Sequence, residues 1–158
     1  MADETENRDP PHLMIVEAPY YADIAEELAR GAIEALKDAD ASFDRFSVAG
    51  AFEVPGAISA AHKSQIHAGR KIYDGYIALG CVIRGETTHY DYICQESARA
   101  LMNLSVERNV AIGNGILTVE NRTQAWARAS VDGKNKGGEA ARACLGMVLL
   151  KQQFGLEL

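Results

Sequence analysis

The segment YIALGCVI, residues 76–83, is apolar from end to end, and Arg84-Gly85-Glu86-Thr87-Thr88-His89 follows it at once. A run this short cannot cross a membrane as a helix. It has no polar face to offer water, so it suits a strand covered on both sides. Strands of that kind belong to parallel sheets with helices packed over each face.

The rest of the chain can be read around this strand. Residues 12–17 form a short apolar strand. Residues 23–37 follow as a helix, with Ile24, Leu28, Ala32 and Leu36 on one stripe. Residues 44–48 read as a second strand with Phe46 and Val48 alternating, and Pro55 opens a helix that reaches about His67 and stops at Gly69. After the apolar run, Thr88 is expected to cap a helix reaching about Arg108, with Ile93, Ser97, Ala100, Leu101 and Leu104 on one face. Residues 110–118 form a fourth strand containing Gly113 and Gly115, which signal a close approach of backbone or ligand. A short helix over 123–128 precedes a last helix ending near Phe154, whose apolar period includes Ala141, Cys144, Leu145, Val148 and Leu149.

Strands and helices alternate throughout. The expected fold is α/β: a three-layer αβα sandwich on a four-stranded parallel sheet, flavodoxin-like in class. Residues 12–158 form a single domain, and residues 1–11 form a disordered tail ending in Pro10-Pro11. A four-stranded sheet is thin, which calls for a partner's surface to complete its burial.

Composition narrows the function classes. With 16 basic and 22 acidic residues the net charge is −6, which argues against non-specific nucleic-acid binding. The polar N-terminus lacks the apolar stretch of a signal peptide. Cys81, Cys94 and Cys144 are an odd set without CxxC spacing, each in an apolar or small-residue setting, so buried free thiols in a reducing cytoplasm are expected. The four histidines, His12, His62, His67 and His89, show no metal-ligand spacing.

In open α/β sheets ligands bind beyond the carboxyl ends of the strands. The loops 18–21, 50–53, 84–89 and 118–121 occupy those ends. In the third, Gly85 and the N–H groups of a helix start can cradle an anion, with the Thr87 and Thr88 hydroxyls beside it. An imidazole at His89 there is suited to proton transfer near neutrality. The plainer reading is a capped helix with a solvent-facing histidine. Glu53 is either an acceptor for a polyol or a solvated carboxylate. Tyr20 either stacks on a planar ring or packs as an ordinary loop aromatic. Trp126 reads as core or interface, and Arg128 as a surface charge.

Four blocks resolve these choices together: GAFEVPGAI (50–58), ALGCVIRGETTHYDYI (78–93), GNGILTVENRTQAWARA (113–129) and NKGGEAA (135–141). In sequence and order they resemble the signature blocks of the lumazine synthase family, and the pattern GxxIRGxTxHxD is specific to it. The likeness runs from about Leu13 to Phe154. It implies condensation of 5-amino-6-(D-ribitylamino)uracil with 3,4-dihydroxy-2-butanone 4-phosphate, giving 6,7-dimethyl-8-ribityllumazine, phosphate and water, with no metal or coenzyme. It further implies that Tyr20 stacks on the pyrimidine, that Ala51, Phe52 and Glu53 line the ribityl chain, and that Cys81, Val82 and Ile83 lie against the ring. Gly85, Glu86 and Thr87 would hold the phosphate, together with Arg128 from a neighbouring subunit. His89 would be the general acid/base, and Lys136 would reach the heterocycle.

The chain departs from the family pattern at three places. Asn114 stands where the family commonly has an aromatic that packs on the substrate from the neighbouring subunit, so the resemblance implies substrate binding there with an amide hydrogen bond in place of stacking; Glu86 sets a carboxylate by the phosphate, and Asp132 replaces a frequent basic residue. The resemblance also implies a homo-oligomer, a pentamer with active sites between subunits. Pro10-Pro11 lacks the N–H groups to add a strand to a neighbour's sheet, which favours a free pentamer over a 60-subunit shell. A flavin- or lumazine-binding protein on the same scaffold, with little catalysis, is the alternative that the residues leave open.

Overall fold

A computed structural model describes residues 8–156. Most of the expected N-terminal tail, residues 1–7, lies outside the described residues. The elements follow in the order β1 (His12–Glu17), α1 (Ala22–Asp38), β2 (Ser42–Ser47), a single 3-10 turn (Ala51–Glu53), α2 (Val54–Ala68), β3 (Gly75–Ile83), α3 (His89–Glu107), β4 (Ile112–Val119), α4 (Arg122–Ala129) and α5 (Lys136–Gln153). All four strands are parallel, in the order β2-β1-β3-β4. The chain winds outward from β1 to β2, then returns to the other side of β1 to lay down β3 and β4. That reversal opens a crevice between β1 and β3 at their carboxyl ends.

The strand pleat divides the core into two layers. Leu13, Ile15, Ile77, Leu79, Leu117 and Val119 pack with α1, α4 and α5. Met14, Val16, Tyr76 and Ala78 pack with α2 and α3 through Val54, Ile58 and Leu101. Residues 75–80 of β3 are buried throughout, as an all-apolar strand requires. Gly69 ends α2 with φ +62°, the left-handed conformation that favours glycine.

Several expectations need correcting. β2 begins at Ser42, two residues before the expected strand, because the Ser42 N–H donates to the Pro11 carbonyl at 3.0 Å and starts the ladder early. As an outermost strand it is largely exposed, with Phe43 packed against the core from one face, and Phe46 is 47% exposed where alternation implied burial. β4 starts at Ile112, because the Val110 N–H closes the preceding turn onto Leu104. Leu149 is exposed on the outer side of α5. Of the three free thiols only Cys144 is buried. Cys81 and Cys94 are half-buried, at the open end of β3 and on the flank of α3.

The strand glycines serve helix packing. A Cβ on Gly113 would stand 1.9 Å from the Ala140 carbonyl oxygen, and one on Gly115 would stand 2.7 Å from Leu79 Cδ2 and 3.1 Å from Ala140 Cβ. The bare face of β4 lets α5 seat directly on the sheet, and Gly137 makes the matching allowance against α1.

Candidate active site

A cleft of about 730 Å³ opens at the carboxyl ends of the strands, over the β1–β3 reversal. Tyr20, Ala51, Phe52, Glu53, Cys81, Val82, Ile83 and His89 all line it, so side chains from three separate loops and the end of β3 converge on one space.

The first wall follows β1. Tyr20 is 76% exposed and meets Tyr21 edge-on, ring centroids 5.0 Å apart. Tyr21 stands at the head of α1 and packs onto the core, so it backs the freer ring. Burial, with Cys81 and Tyr20 nearby, pushes its hydroxyl above the usual tyrosine range, so it stays protonated. The second wall is the turn after β2. The Glu53 N–H donates to the Gly50 carbonyl at 3.1 Å, and Pro55 fixes the start of α2 just beyond. The Glu53 carboxylate lies back over Gly50, where an added Cβ would come within 3.2 Å of Oε2. Phe52 beside it is 57% exposed.

The floor is the half-buried end of β3. Burial pushes the Cys81 thiol up to about 11, so it is a neutral, largely apolar wall and not a nucleophile. Beyond it the turn over residues 85–88 is exposed. Among the described residues the N–H groups of Gly85, Glu86 and Thr87 find no acceptor. Exposed backbone N–H groups without a protein partner, just ahead of a helix start, are available to an anion. Thr88 occupies the cap position but makes no side-chain cap bond. The Thr87 hydroxyl does that work, accepting from the His89 N–H at 3.3 Å. His89 then opens α3 on the cleft side.

Of the expected site residues, Gly85, Glu86 and Thr87 lie in the turn beside the cleft without lining it, and Asn114, Arg128 and Lys136 do not line the cleft of their own chain. Asn114 is exposed midway along the edge strand β4, its side chain accepting from the Ile116 N–H at 3.0 Å. Arg128 lies half-buried on α4 and donates to the Gln124 carbonyl at 3.1 Å. Lys136 begins α5 and pairs with Glu139 at 2.7 Å. Asp132 is exposed in the loop between them. Tyr21, Ala49, Gly50, Tyr92 and Ile93 also line the cleft, although the sequence did not single them out as site residues. Helical spacing could have found two of them: Tyr92 and Ile93 sit three and four residues after His89, on the same side of α3.

Among the described residues no group of three His, Cys, Asp or Glu side chains is close enough to share a metal ion. None of the helices described is long and apolar enough to cross a membrane.

Residues 10–152 match the family model described as 6,7-dimethyl-8-ribityllumazine synthase. A protein of that name from Bartonella tribocorum is 54% identical over 150 residues, covering 95% of this chain and 96% of the relative. One from Agrobacterium fabrum is 53% identical, covering 92% of this chain and 97% of the relative. The protein from Rhizobium meliloti named 6,7-dimethyl-8-ribityllumazine synthase 1 is 53% identical, covering 94% and 96%.

Proposed function

The chain belongs to the 6,7-dimethyl-8-ribityllumazine synthase family, and from that membership we propose that the cleft above β1 and β3 is its active site. The protein is a transferase of riboflavin biosynthesis. It joins 5-amino-6-(D-ribitylamino)uracil to 3,4-dihydroxy-2-butanone 4-phosphate and releases 6,7-dimethyl-8-ribityllumazine, phosphate and water.

One observation carries the assignment of the site: an aromatic, a carboxylate, an apolar floor and an imidazole share one crevice, and the exposed turn over residues 85–88 joins that floor to that imidazole. Tyr20 takes the pyrimidine face, Glu53 accepts from ribityl hydroxyls, and Ala51 and Phe52 line that chain. Cys81, Val82 and Ile83 exclude water from beneath the ring. The N–H groups of Gly85, Glu86 and Thr87, with the Thr87 hydroxyl, hold the phosphate. The Glu86 side chain is exposed and can turn to solvent while its N–H serves the anion.

His89 moves the protons that Schiff-base formation and ring closure require. Elimination of phosphate places charge on its oxygens, and cationic or N–H donors already in position stabilise that charge. Holding both substrates in one cleft makes the condensation effectively unimolecular, a large part of the acceleration.

Arg128, Asn114 and Lys136 reach a cleft only if neighbouring copies supply them. That need, together with the exposed aromatic walls, supports an oligomer with sites between subunits. We take this to be a pentamer, free because Pro10-Pro11 cannot add a strand to a neighbour. Free thiols fit a cytoplasmic setting. The test of activity is to mix both substrates with pure protein and follow lumazine absorbance. Tight riboflavin binding without lumazine formation would reject catalysis. Light scattering should give the mass of five chains, and a 60-subunit particle would reject the free pentamer.

A further inference from the structure

We propose that Arg84 is a positioning residue for this reaction, locking the anion-ready turn to α3 and to α4 without touching substrate. The inference rests on the reading of residues 85–87 as the phosphate site. An arginine immediately before such a turn invites a role as an anion ligand. Its charge is already engaged. Nε donates to Glu120 Oε2 at 2.8 Å, a terminal nitrogen donates to Asp91 Oδ1 at 3.3 Å, and the guanidinium lies 4.2 Å over the Tyr90 ring. Two carboxylates around one guanidinium leave no net positive charge for a phosphate.

What the contacts do supply is position. Arg84 leaves β3 with its N–H on the Val119 carbonyl at 3.0 Å, so its backbone is part of the sheet ladder. Its side chain then grips the first turn of α3 through Tyr90 and Asp91, and the loop before α4 through Glu120. The turn over 85–88 is spanned on both sides by this clamp. The bonds continue beyond it. The Glu120 N–H donates to Gln124 Oε1 at 2.8 Å, the Gln124 N–H donates to the Asn121 side chain at 2.9 Å, and the Gln124 carbonyl accepts from Arg128 at 3.1 Å. The turn that offers N–H groups and the helix that carries Arg128 are therefore tied through one guanidinium.

A short exposed turn containing glycine loses conformational freedom when an anion orders it. A clamp that orders it beforehand removes that cost from binding. Single exposed ion pairs do little. This guanidinium bridges two carboxylates and a ring at once, which a lysine, as a point charge without a planar fork, cannot do.

The experiment is steady-state kinetics on the intact enzyme with each substrate varied separately, plus inhibition by inorganic phosphate. Arg84→Met should raise the KM for the phosphorylated substrate, and the inhibition constant of phosphate, about fivefold. The KM for the pyrimidine should stay within about twofold. Glu120→Gln should shift the same constants in the same direction, and the double variant should be no worse than Arg84→Met alone. Arg84→Lys should recover only part of the loss. Unchanged phosphate constants in Arg84→Met, with raised ones in Thr87→Ala, would overturn the positioning role and leave the phosphate turn standing. If Thr87→Ala is also without effect, the turn is not the phosphate site and both readings fall. Equal loss for both substrates with a lowered melting temperature would make Arg84 a general stabiliser, which also overturns the proposal.

Discussion

Replacing Gly113 by alanine should unseat α5 from the sheet. The new Cβ would lie 1.9 Å from the Ala140 carbonyl oxygen, 2.7 Å from its carbon and 3.1 Å from Cys144 Cβ. Two of these atoms are backbone in the second turn of α5 and cannot rotate aside. Restoring ordinary contact requires α5 to withdraw by roughly 1.5 Å. A shift of that size opens gaps around Cys144 and Ala141, both fully buried. Overpacking of this kind costs about 3 kcal/mol, the upper end of the usual range, because the clash is with fixed backbone. For a chain of this size that lowers the melting temperature by about 6–12 °C. Gly80 on the neighbouring strand is the matched control, since its added Cβ would find nothing closer than 3.6 Å. Gly80→Ala should be neutral or stabilising by a few tenths of a kcal/mol, through reduced freedom of the unfolded chain. Thermal unfolding followed by circular dichroism, at equal protein concentration for all three proteins, makes the comparison. A Gly113→Ala melt within about 2 °C of the parent would refute the packing argument.

Other expectations bear on the site and on ionisation. Arg128→Ala should weaken binding of the phosphorylated substrate at least about tenfold, the worth of a charge-assisted hydrogen bond, and the pyrimidine far less; equal losses in titrations of the two would contradict its phosphate role. His89→Ala should slow turnover by about 10²-fold with modest change in KM, and an unchanged kcat would remove the imidazole from the mechanism. Stability should decline as pH rises above the ordinary thiol value near 9.0, because unfolded thiols ionise there while Cys81 holds its proton to about 11 and Cys144 to about 12. Urea midpoints that stay level from pH 8 to about pH 10.5 would contradict that linkage.

The layered fold was legible because its signals are local. The unbroken apolar run of β3, the four-residue stripe of α1 and the glycine ending α2 each state their own environment. Edges were less legible. β2 carries Phe46 in alternation with polar residues, and alternation cannot tell a face covered by a helix from one left open at the margin of a sheet. The β4 glycines announced a close approach, but only the packing of α5 showed what approaches. In the site, residues adjacent in sequence assembled as a cleft, since the ends of parallel strands bring their loops together. Arg128, Asn114 and Lys136 carry no such local signal, because their surroundings depend on which copy stands beside them. The clamp at Arg84 joins residues 36 apart through side chains alone, a relation that no periodicity encodes.

The most direct measurement is a crystal structure of the assembled enzyme with a non-hydrolysable phosphonate analogue of the four-carbon substrate. The phosphonate should accept from the N–H groups of Gly85, Glu86 and Thr87, with the His89 imidazole beside the carbon chain and the guanidinium of Arg128 arriving from an adjoining copy. A phosphonate seated away from that turn, or an Arg128 that reaches no bound anion, would contradict the account.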